Sequence, residues 1–364
     1  MKRLELITDL RIIEENARII RSRLDMNVKM LAVVKADAYG HGSIQTANRL
    51  EKENLCDYFA VATASEGVNL RNSGIQKDIL ILGYSDEEEM ALSVKNDLTL
   101  SLYSAEMLST LESVSKKMGK TAKSHLKIET GMNRIGISIG ESLNKLLLMW
   151  KNMPNVRMDG IFSHFSSADF SPEYTKKQFE IFLSACQTVR EYGFSPIRHI
   201  SASSGMFFNA YQLDMVRAGI ALYGGFEKND VFTPAQTLKS HPVRIISLKK
   251  GEKVGYGMNF TCARDTTVMT VPCGYGDGYP RSLSNRASLL VNGRRAPVIG
   301  NICMDMLMAD VTDAGHIDLN SEVVLLGAQG DDRITPFELA ALSNTIPYEI
   351  MLGFSGRVQK SWIE

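Results

Sequence analysis

This chain is short of almost everything that marks a specialised protein. Its five cysteines (Cys56, Cys186, Cys262, Cys273 and Cys303) are odd in number, widely scattered and without a CxxC pair. That argues against a disulfide frame or a zinc site and for a reducing compartment. No apolar run approaches the ~18 residues needed to span a bilayer. The opening Met1-Lys2-Arg3-Leu4-Glu5 has no apolar signal region, because Asp9, Glu14 and Glu15 interrupt it, so the cytoplasm is the expected location. Forty-one Lys and Arg balance forty-one Asp and Glu. Basic residues and aromatics form no stripe, so neither nucleic acid nor a membrane is expected as a partner. Low-complexity segments and long linkers are lacking too.

What is present is an ordinary globular composition, 44% hydrophobic and 23% charged over 364 residues. That length accommodates two domains with sizeable cores. Residues 8–24 place Leu10, Ile12, Ile13, Ala17, Ile20 and Leu24 at helical spacing. A rhythm then begins. Short apolar strands are expected near 29–35, 57–62, 78–83, 98–103, 124–129, 158–164, 197–202 and 214–221. Helical patterns separate them at 43–53, 65–72, 86–95, 104–118, 141–152 and 172–193, with a short connection at 203–213. Strands and helices alternating in this way over ~200 residues predict an α/β fold, an eight-stranded β/α (TIM-like) barrel. After about residue 232 the alternation stops. Val243–Leu248, Thr266–Pro272, Ala287–Val291, Met306–Val311 and Glu322–Leu326 read as strands separated by turns, with one helix near Thr335–Ser343. The expectation is therefore a barrel domain over 1–232 and a mostly β domain over 233–364.

Residues with chemistry fall where the barrel strands end. Lys35 closes the apolar run Met30 to Val34, and glycines follow at 40 and 42. A lysine against apolar wall is poorly solvated, which lowers its pKa and frees the amine for Schiff-base chemistry. Taken alone, a lysine there more often caps a strand and points to water. Lys127 and Glu129 end the fifth strand, with Arg134 in the loop beyond, and His164 ends the sixth. Ser201-Ala-Ser-Ser-Gly205 follows the seventh, and Arg217-Ala-Gly-Ile220 ends the eighth. Each of these last two stretches alone reads as a plain turn. Together, after strands seven and eight, they mark the usual phosphate site of such barrels. A strand-one lysine facing a phosphate site suggests pyridoxal 5'-phosphate. Arg217 is the candidate partner of the pyridine nitrogen, which a donor-only guanidinium would keep unprotonated; a salt bridge to Asp214 is its alternative use. Gly255-Tyr-Gly257, taken alone, is a hairpin tip. Cys303 reads as an inert buried thiol, and His164 as a support beside Arg217.

These residues resemble the alanine racemase family. The resemblance covers essentially the whole chain and is carried by Ala32-Val-Val-Lys-Ala-Asp-Ala-Tyr-Gly-His-Gly42, His125-Leu-Lys-Ile-Glu-Thr-Gly-Met-Asn-Arg-Ile-Gly136, Ser163-His-Phe165, Val216-Arg-Ala-Gly-Ile-Ala-Leu-Tyr-Gly224, Val254-Gly-Tyr-Gly257, Gly274-Tyr-Gly-Asp-Gly278, Gly300-Asn-Ile-Cys-Met-Asp-Met306 and Thr345-Ile-Pro-Tyr-Glu349. It implies a homodimeric, cytoplasmic, pyridoxal-phosphate-dependent racemase that supplies D-alanine for peptidoglycan. Lys35 would hold the cofactor as a Schiff base and serve as base for the D-enantiomer. Tyr256, contributed by the other subunit, would serve the L-enantiomer. Tyr39, Ser203, Gly219, Ile220 and Tyr348 would hold the phosphate. Arg134 and the backbone N–H of Met304 would bind the substrate carboxylate. His164 would orient Arg217 and Tyr256. Lys127 matches a lysine carbamylated in some members, where it positions Arg134. Asp169, Arg281, Asp305 and Ile346 would line the entrance.

One motif departs from the family pattern: Ser201-Ala-Ser203 stands where Ala-Asn-Ser is common, so Ala202 replaces an asparagine. The vancomycin-resistance serine racemases resemble the chain there, but they tend to lose the tyrosine present here as Tyr348. Alanine is therefore the expected substrate, with serine a second one. Two other readings stand beside it. A non-catalytic pyridoxal-phosphate carrier barrel would lack a β domain. A decarboxylase of the same build would need an acidic partner for the pyridine nitrogen, where this chain has Arg217, and a working cysteine, for which Cys303 is the candidate.

Overall fold

The computed structural model describes residues 2–226 and 231–364. The chain divides into two compact units, each passed through more than once. One contains Glu14–Ala38 and Ser43–Leu222; the other contains Met1–Ile13, Tyr39–Gly42 and Tyr223–Glu364. The sequence suggests a single division near residue 232, but the chain's first strand and four residues of the loop after Lys35 group with the C-terminal part.

The first unit carries an eight-stranded parallel sheet among the described residues. Its strands are Lys29–Val33, Tyr58–Val61, Asp78–Ile81, Thr99–Leu102, Ala122–Lys127, Val156–Phe162, Ile197–His199 and Met215–Ala218. The first to the seventh pair in sequence order, and the eighth returns to the first in register Lys29↔Met215 to Ala32↔Ala218. The seam between the seventh and eighth has no ladder. It is crossed by Arg217 N–H donating to Ser201 O (3.0 Å) and Asp214 N–H to Arg198 O (3.2 Å). The sheet is thus a nearly closed barrel. All four residues of Thr99–Leu102 and of Met215–Ala218 are buried, as expected of parallel strands covered on both faces.

Helices follow where the apolar spacing places them: Ser43–Lys52, Ala64–Asn72, Glu87–Lys95, Ala105–Met118, Glu141–Trp150 and Pro172–Glu191. Their starts are set by capping side chains. Thr63, Asp86, Ser104 and Ser171 each accept a backbone N–H three residues on, which satisfies a donor the helix leaves unpaired. The short connection expected at 203–213 holds only a 3₁₀ turn, Asn209–Tyr211.

One local conformation runs against residue preference. After Lys35, the residues Ala36, Asp37, Ala38 and Tyr39 all have φ of 51–53°. Such left-handed backbone costs roughly 1–2 kcal/mol per residue for side chains with a Cβ. Local hydrogen bonds hold it. Ala36 N–H and Ala62 N–H donate to the two carboxylate oxygens of Glu66, each at 2.7 Å. Ser43 N–H donates to Asp37 Oδ1 at 2.8 Å.

The helix expected over 8–24 begins later, at Leu10, and runs to Ser22. Residues Leu4–Asp9 are instead a strand of the second unit. Leu4, Leu6 and Thr8 are buried, alternating with Glu5, Ile7 and Asp9, the period of a half-buried strand. It pairs antiparallel with Gln236–Ser240 and parallel with Gln359–Ile363. Within the seven-stranded sheet these three continue into Val323–Gln329, Ser288–Val291 and Arg294–Pro297, with Asp332–Ile334 on Val323–Gln329. A second sheet joins Arg244–Leu248, Thr266–Val271 and Leu307–Asp310. Leu6, Leu238, Met269, Leu290, Val324 and Phe354 belong to one buried core. The expected helix near Thr335 spans Pro336–Ser343, capped by Thr335, and a further helix at Pro347–Leu352 follows.

Within this unit lies an ion-pair knot around one buried carboxylate. Asp277 is fully buried and receives Arg3 (2.5 Å), Arg357 (3.4 Å) and the N–H of Gly274 (3.0 Å). Arg357 continues to Asp305 at 2.6 Å. Removing one charge of a buried pair leaves the other uncompensated, although Arg3 and Arg357 are partly solvated. Asp277→Asn is therefore expected to cost about 2–3 kcal/mol, measured by denaturant unfolding. A loss below ~0.5 kcal/mol would show that solvent already neutralises both arginines.

Candidate active site

Arg217 stands at the centre of the barrel's carboxyl-end chemistry. It is buried on the last strand and held by four acceptors, none of them a carboxylate. Its Nη1 donates to His199 Nδ1 at 3.0 Å. Its Nη2 donates to Ser163 O (2.8 Å), His164 Nδ1 (2.9 Å) and Ile200 O (2.9 Å). Asp214, the alternative partner suggested by sequence, is occupied by Arg198, whose Nε and Nη2 both reach it at 2.8 Å. Burial, and then the charge of Arg134, bring the Arg217 guanidinium down to about 9. It remains a cation at neutral pH.

The donor-only guanidinium dictates the protonation of everything behind it. His199 Nδ1 must accept, so its proton sits on Nε2 and is donated to His125 Nδ1 at 2.9 Å. His125 then carries its own proton on Nε2, which is buried without a partner. His164 likewise accepts through Nδ1 and keeps Nε2–H as its free donor. All three rings are held neutral. Burial first, then the Arg217 charge, pushes His164 and His199 well below the usual imidazole value. His125 is brought down to about 3, chiefly by burial. A Cβ on Gly160 would overlap the His125 ring, so only glycine admits that imidazole. Phe162 stacks on His199 (centroids 4.9 Å, 2°). Its ring lies 5.6 Å from the Arg217 guanidinium carbon and 4.6 Å from Lys127 Nζ. Neither His125 nor His199 stood out in the sequence. Their signal was a histidine near the end of a buried strand, which reads equally as core.

The other barrel residues predicted from sequence gather around this cation. Burial lowers the Lys35 pKa, Arg134 and Arg217 lower it further, and Glu66 opposes them. Burial, Arg217 and Arg134 push the Lys127 amine well below its ordinary value. No hydrogen bond or ion pair forms at the Arg134 guanidinium among the described residues. Ser203 Oγ accepts N–H groups from Gly219 (3.4 Å) and Ala221 (3.3 Å), which leaves its own proton free to donate. The N–H of Ile220, between them, meets no acceptor among the described residues. Nearby, Ser204 Oγ donates to Asp169.

A second group of predicted residues lies in the other unit. Tyr39 rests against Tyr348 (5.9 Å between ring centroids) and Tyr223 (5.0 Å). Burial raises the Tyr39 hydroxyl above the usual phenol range, keeping it a neutral donor. Tyr256 lies in a turn between Gly255 and Gly257, whose φ values are 75° and 73°. Asn301 Nδ2 donates to Tyr256 O at 2.8 Å, and Tyr256 is 74% exposed. Met304 is also exposed, and its loop is held by Gly276 N–H on Met304 O (2.8 Å) and by the Arg357–Asp305 pair. Arg281 and Ile346 belong to this unit too. Cys303 is partly buried and its thiol is pushed up by that burial, the opposite of what a thiolate nucleophile needs.

The residues present fit pyridoxal phosphate. Arg217 Nε–H has no partner among the described residues and is a donor for a pyridine nitrogen. Ser203 and Ile220 offer unspent donors for a phosphate. Lys35 has an amine whose pKa is lowered by burial.

The neutral histidines predict an acid weakness. The unfolded chain protonates them near 6.5, whereas folded His125 resists until about 3. Between those values the unfolded state binds more protons, so stability falls as pH drops below ~6.5. His125→Gln should lessen that slope by about one proton, ~1.4 kcal/mol per pH unit, in melting temperatures compared from pH 8 to pH 4. An unchanged slope would place the acid sensitivity elsewhere.

The chain is similar to known proteins along nearly its whole length. The alanine racemase N-terminal domain family matches residues 8–227, and the alanine racemase C-terminal domain family matches 235–362. Alanine racemase 1 of Caldanaerobacter subterraneus subsp. tengcongensis is 37% identical over 356 residues, covering 96% of this chain and 92% of its own. The alanine racemase of Methanococcus maripaludis is 35% identical, covering 98% and 97%. Among solved structures, alanine racemase from Clostridium difficile superposes with a TM-score of 0.94 at 35% identity, over 100% of this chain and 96% of its own. That from Bacillus anthracis with bound L-Ala-P gives 0.93 at 30%, with the same coverage. The chain belongs to the alanine racemase family.

Proposed function

We propose that this protein interconverts L- and D-alanine with pyridoxal 5'-phosphate, using Lys35 and Tyr256 as bases on opposite faces of the substrate. The observation that carries the reading is the buried Arg217 cation with its all-neutral partners. When bound, pyridoxal phosphate supplies an electron-withdrawing ring that acidifies the α-proton of an attached amino acid. A cationic donor at the pyridine nitrogen keeps that nitrogen from gaining a proton, which limits the withdrawal. This suits removal and return of one proton. A carboxylate partner, as a decarboxylase would need, is lacking among the Arg217 partners. The carrier reading does not account for the second unit.

Racemisation needs two bases, because an α-carbon stripped from one side must be reprotonated from the other. Lys35, whose amine pKa is lowered by burial, takes the D-enantiomer's proton as a free amine, and Tyr256 takes the L-enantiomer's as a phenolate, which becomes the phenol. A base that works out of water needs covering. The 74% exposure of Tyr256 in a single chain supports its contribution to a second copy's site in a homodimer. His164, whose Nε2–H is unspent, is the proposed donor to the Tyr256 oxygen. Tyr39, Ser203, Gly219, Ile220 and Tyr348 hold the phosphate. Arg134 and the Met304 N–H hold the substrate carboxylate, with Asp169, Arg281, Asp305 and Ile346 at the entrance. Among the described residues no helix is long and apolar enough to cross a membrane. The proposed setting is the cytoplasm, where the enzyme would supply D-alanine for cell-wall peptidoglycan. Serine, larger by one hydroxyl, is the second substrate.

Loss of the α-proton in deuterated buffer tests the assignment. L- and D-alanine should both exchange, and serine more slowly. Tyr256→Phe should lower abstraction from L-alanine by about 10²–10⁴-fold with a smaller effect on D-alanine. If neither enantiomer exchanges while the protein shows the ~420 nm band of a Schiff-base cofactor, the carrier reading replaces this one.

Lys127 is proposed to work as a carbamate. A neutral amine attacks carbon dioxide and releases a proton, and the anion formed would be paired by Arg134. With ¹³C-labelled bicarbonate, an NMR carbamate signal is expected that vanishes in Lys127→Met. Its absence at neutral pH in the wild type would remove this role.

A further inference from the structure

The loop that carries Arg134 is folded around a carboxylate. At its base, Ile137 N–H donates to Lys127 O and Glu129 N–H to Ile137 O, both at 2.9 Å. Inside it, Gly131 N–H reaches Glu129 Oε1 at 2.5 Å, and Arg134 N–H reaches Oε2 at 3.3 Å. The N–H groups of Met132 and Asn133 are directed at the same carboxylate. From outside the loop, the Tyr174 hydroxyl donates to Gly131 O at 2.9 Å. The path is too tight for most side chains. A Cβ on Gly136 (φ 141°) would lie 2.6 Å from Glu129 N, and one on Gly131 (φ 125°) would lie 2.5 Å from the Tyr174 oxygen.

The charges are arranged in an uncommon way. Glu129 is close enough to influence Lys127 electrostatically, yet among the described residues it forms no ion pair, and neither does Arg134. Its negative charge is spent on consecutive backbone N–H groups, an anion nest turned inward. The Arg134 guanidinium is therefore left free for anions beyond the loop, the proposed Lys127 carbamate and the substrate carboxylate, while its main chain is held from within.

We infer that Glu129 is a positioning residue whose carboxylate sets the backbone of the 129–134 loop and thereby aims Arg134 at the substrate carboxylate. The inference rests on the proposed role of Arg134. A glutamine at 129 has the same shape but only one acceptor atom. Its NH₂ group would face N–H donors, and the loop would relax. A displacement of about 1 Å at a positioning group can cost on the order of 10²-fold.

The test compares a ligand with a carboxylate and one without. In cofactor-loaded enzyme, Glu129→Gln is expected to raise KM for alanine and the inhibition constant of propionate by the same factor, about 10- to 100-fold. Half-saturation of the spectral change with ethylamine, which has no carboxylate, should be unchanged. Glu129→Asp should recover part of the loss, and Glu129→Gln should add nothing in an Arg134→Ala background. Equal weakening of propionate and ethylamine, or no weakening of propionate, overturns the inference. Arg134→Ala alone separates the two levels: if propionate binding survives it, the carboxylate role of Arg134 fails first. Should Glu129→Gln not fold, Tyr174→Phe loosens the same loop from outside. It should weaken propionate and spare ethylamine; no change in propionate binding by the folded variant overturns the inference.

Discussion

A buried guanidinium with only neutral partners is the constraint on which the barrel's chemical end depends. Desolvating a cation without a counter-ion is costly, and Arg217 offsets this with charge-assisted hydrogen bonds to two carbonyls and two imidazoles. Because it can only donate, every group in contact with it must accept. That requirement runs through His199 to His125 and ends on a nitrogen with no partner. It also accounts for the glycine at 160, where any side chain would occupy the space of the His125 ring. One charge thereby sets three tautomers, His164 included, and one backbone position.

The same positive field conditions the amines around it. Lys35 and Lys127 are lysines beside arginines, with limited solvent and little negative charge nearby, so the pKa values of both amines are lowered. Carboxylates are present, but their charge goes into backbone. Glu66 holds the peptides after Lys35 and before Thr63, and Glu129 holds the loop of Arg134. The region is thus electropositive by arrangement rather than by composition, since the chain as a whole is neutral. An anionic cofactor and an anionic substrate group are the complementary ligands.

Much of this was legible beforehand. The barrel strands lie within a few residues of their expected places because parallel strands buried on both faces must be short apolar runs. The helices between them show their apolar face at helical spacing. Lys35, Lys127, Arg134, His164 and Arg217 could be singled out because a charged or titratable residue at the end of an apolar strand is conspicuous. Less visible were residues that act through another side chain. His199 and His125 differ from core histidines only in what they touch, and Glu66 lies on a helix whose sequence gives no sign of the strand ends it joins. The strand Leu4–Asp9 did alternate, but its pattern merges into the helix that follows.

The local order of elements, their caps and the positions of the chemical residues were determined by the sequence alone, since each depends on neighbours a few residues apart. Tertiary structure decided what depends on distant partners. Leu4–Asp9 became a strand of the second unit because its hydrogen-bonding edges are Gln236–Ser240 and Gln359–Ile363. Arg217 was released for the site because Asp214 is taken by Arg198 across the barrel seam. The four left-handed residues after Lys35 are tolerated in part because Glu66, about thirty residues on, binds the first of them. In each case the energy that selects the conformation comes from a group that no local window of sequence contains.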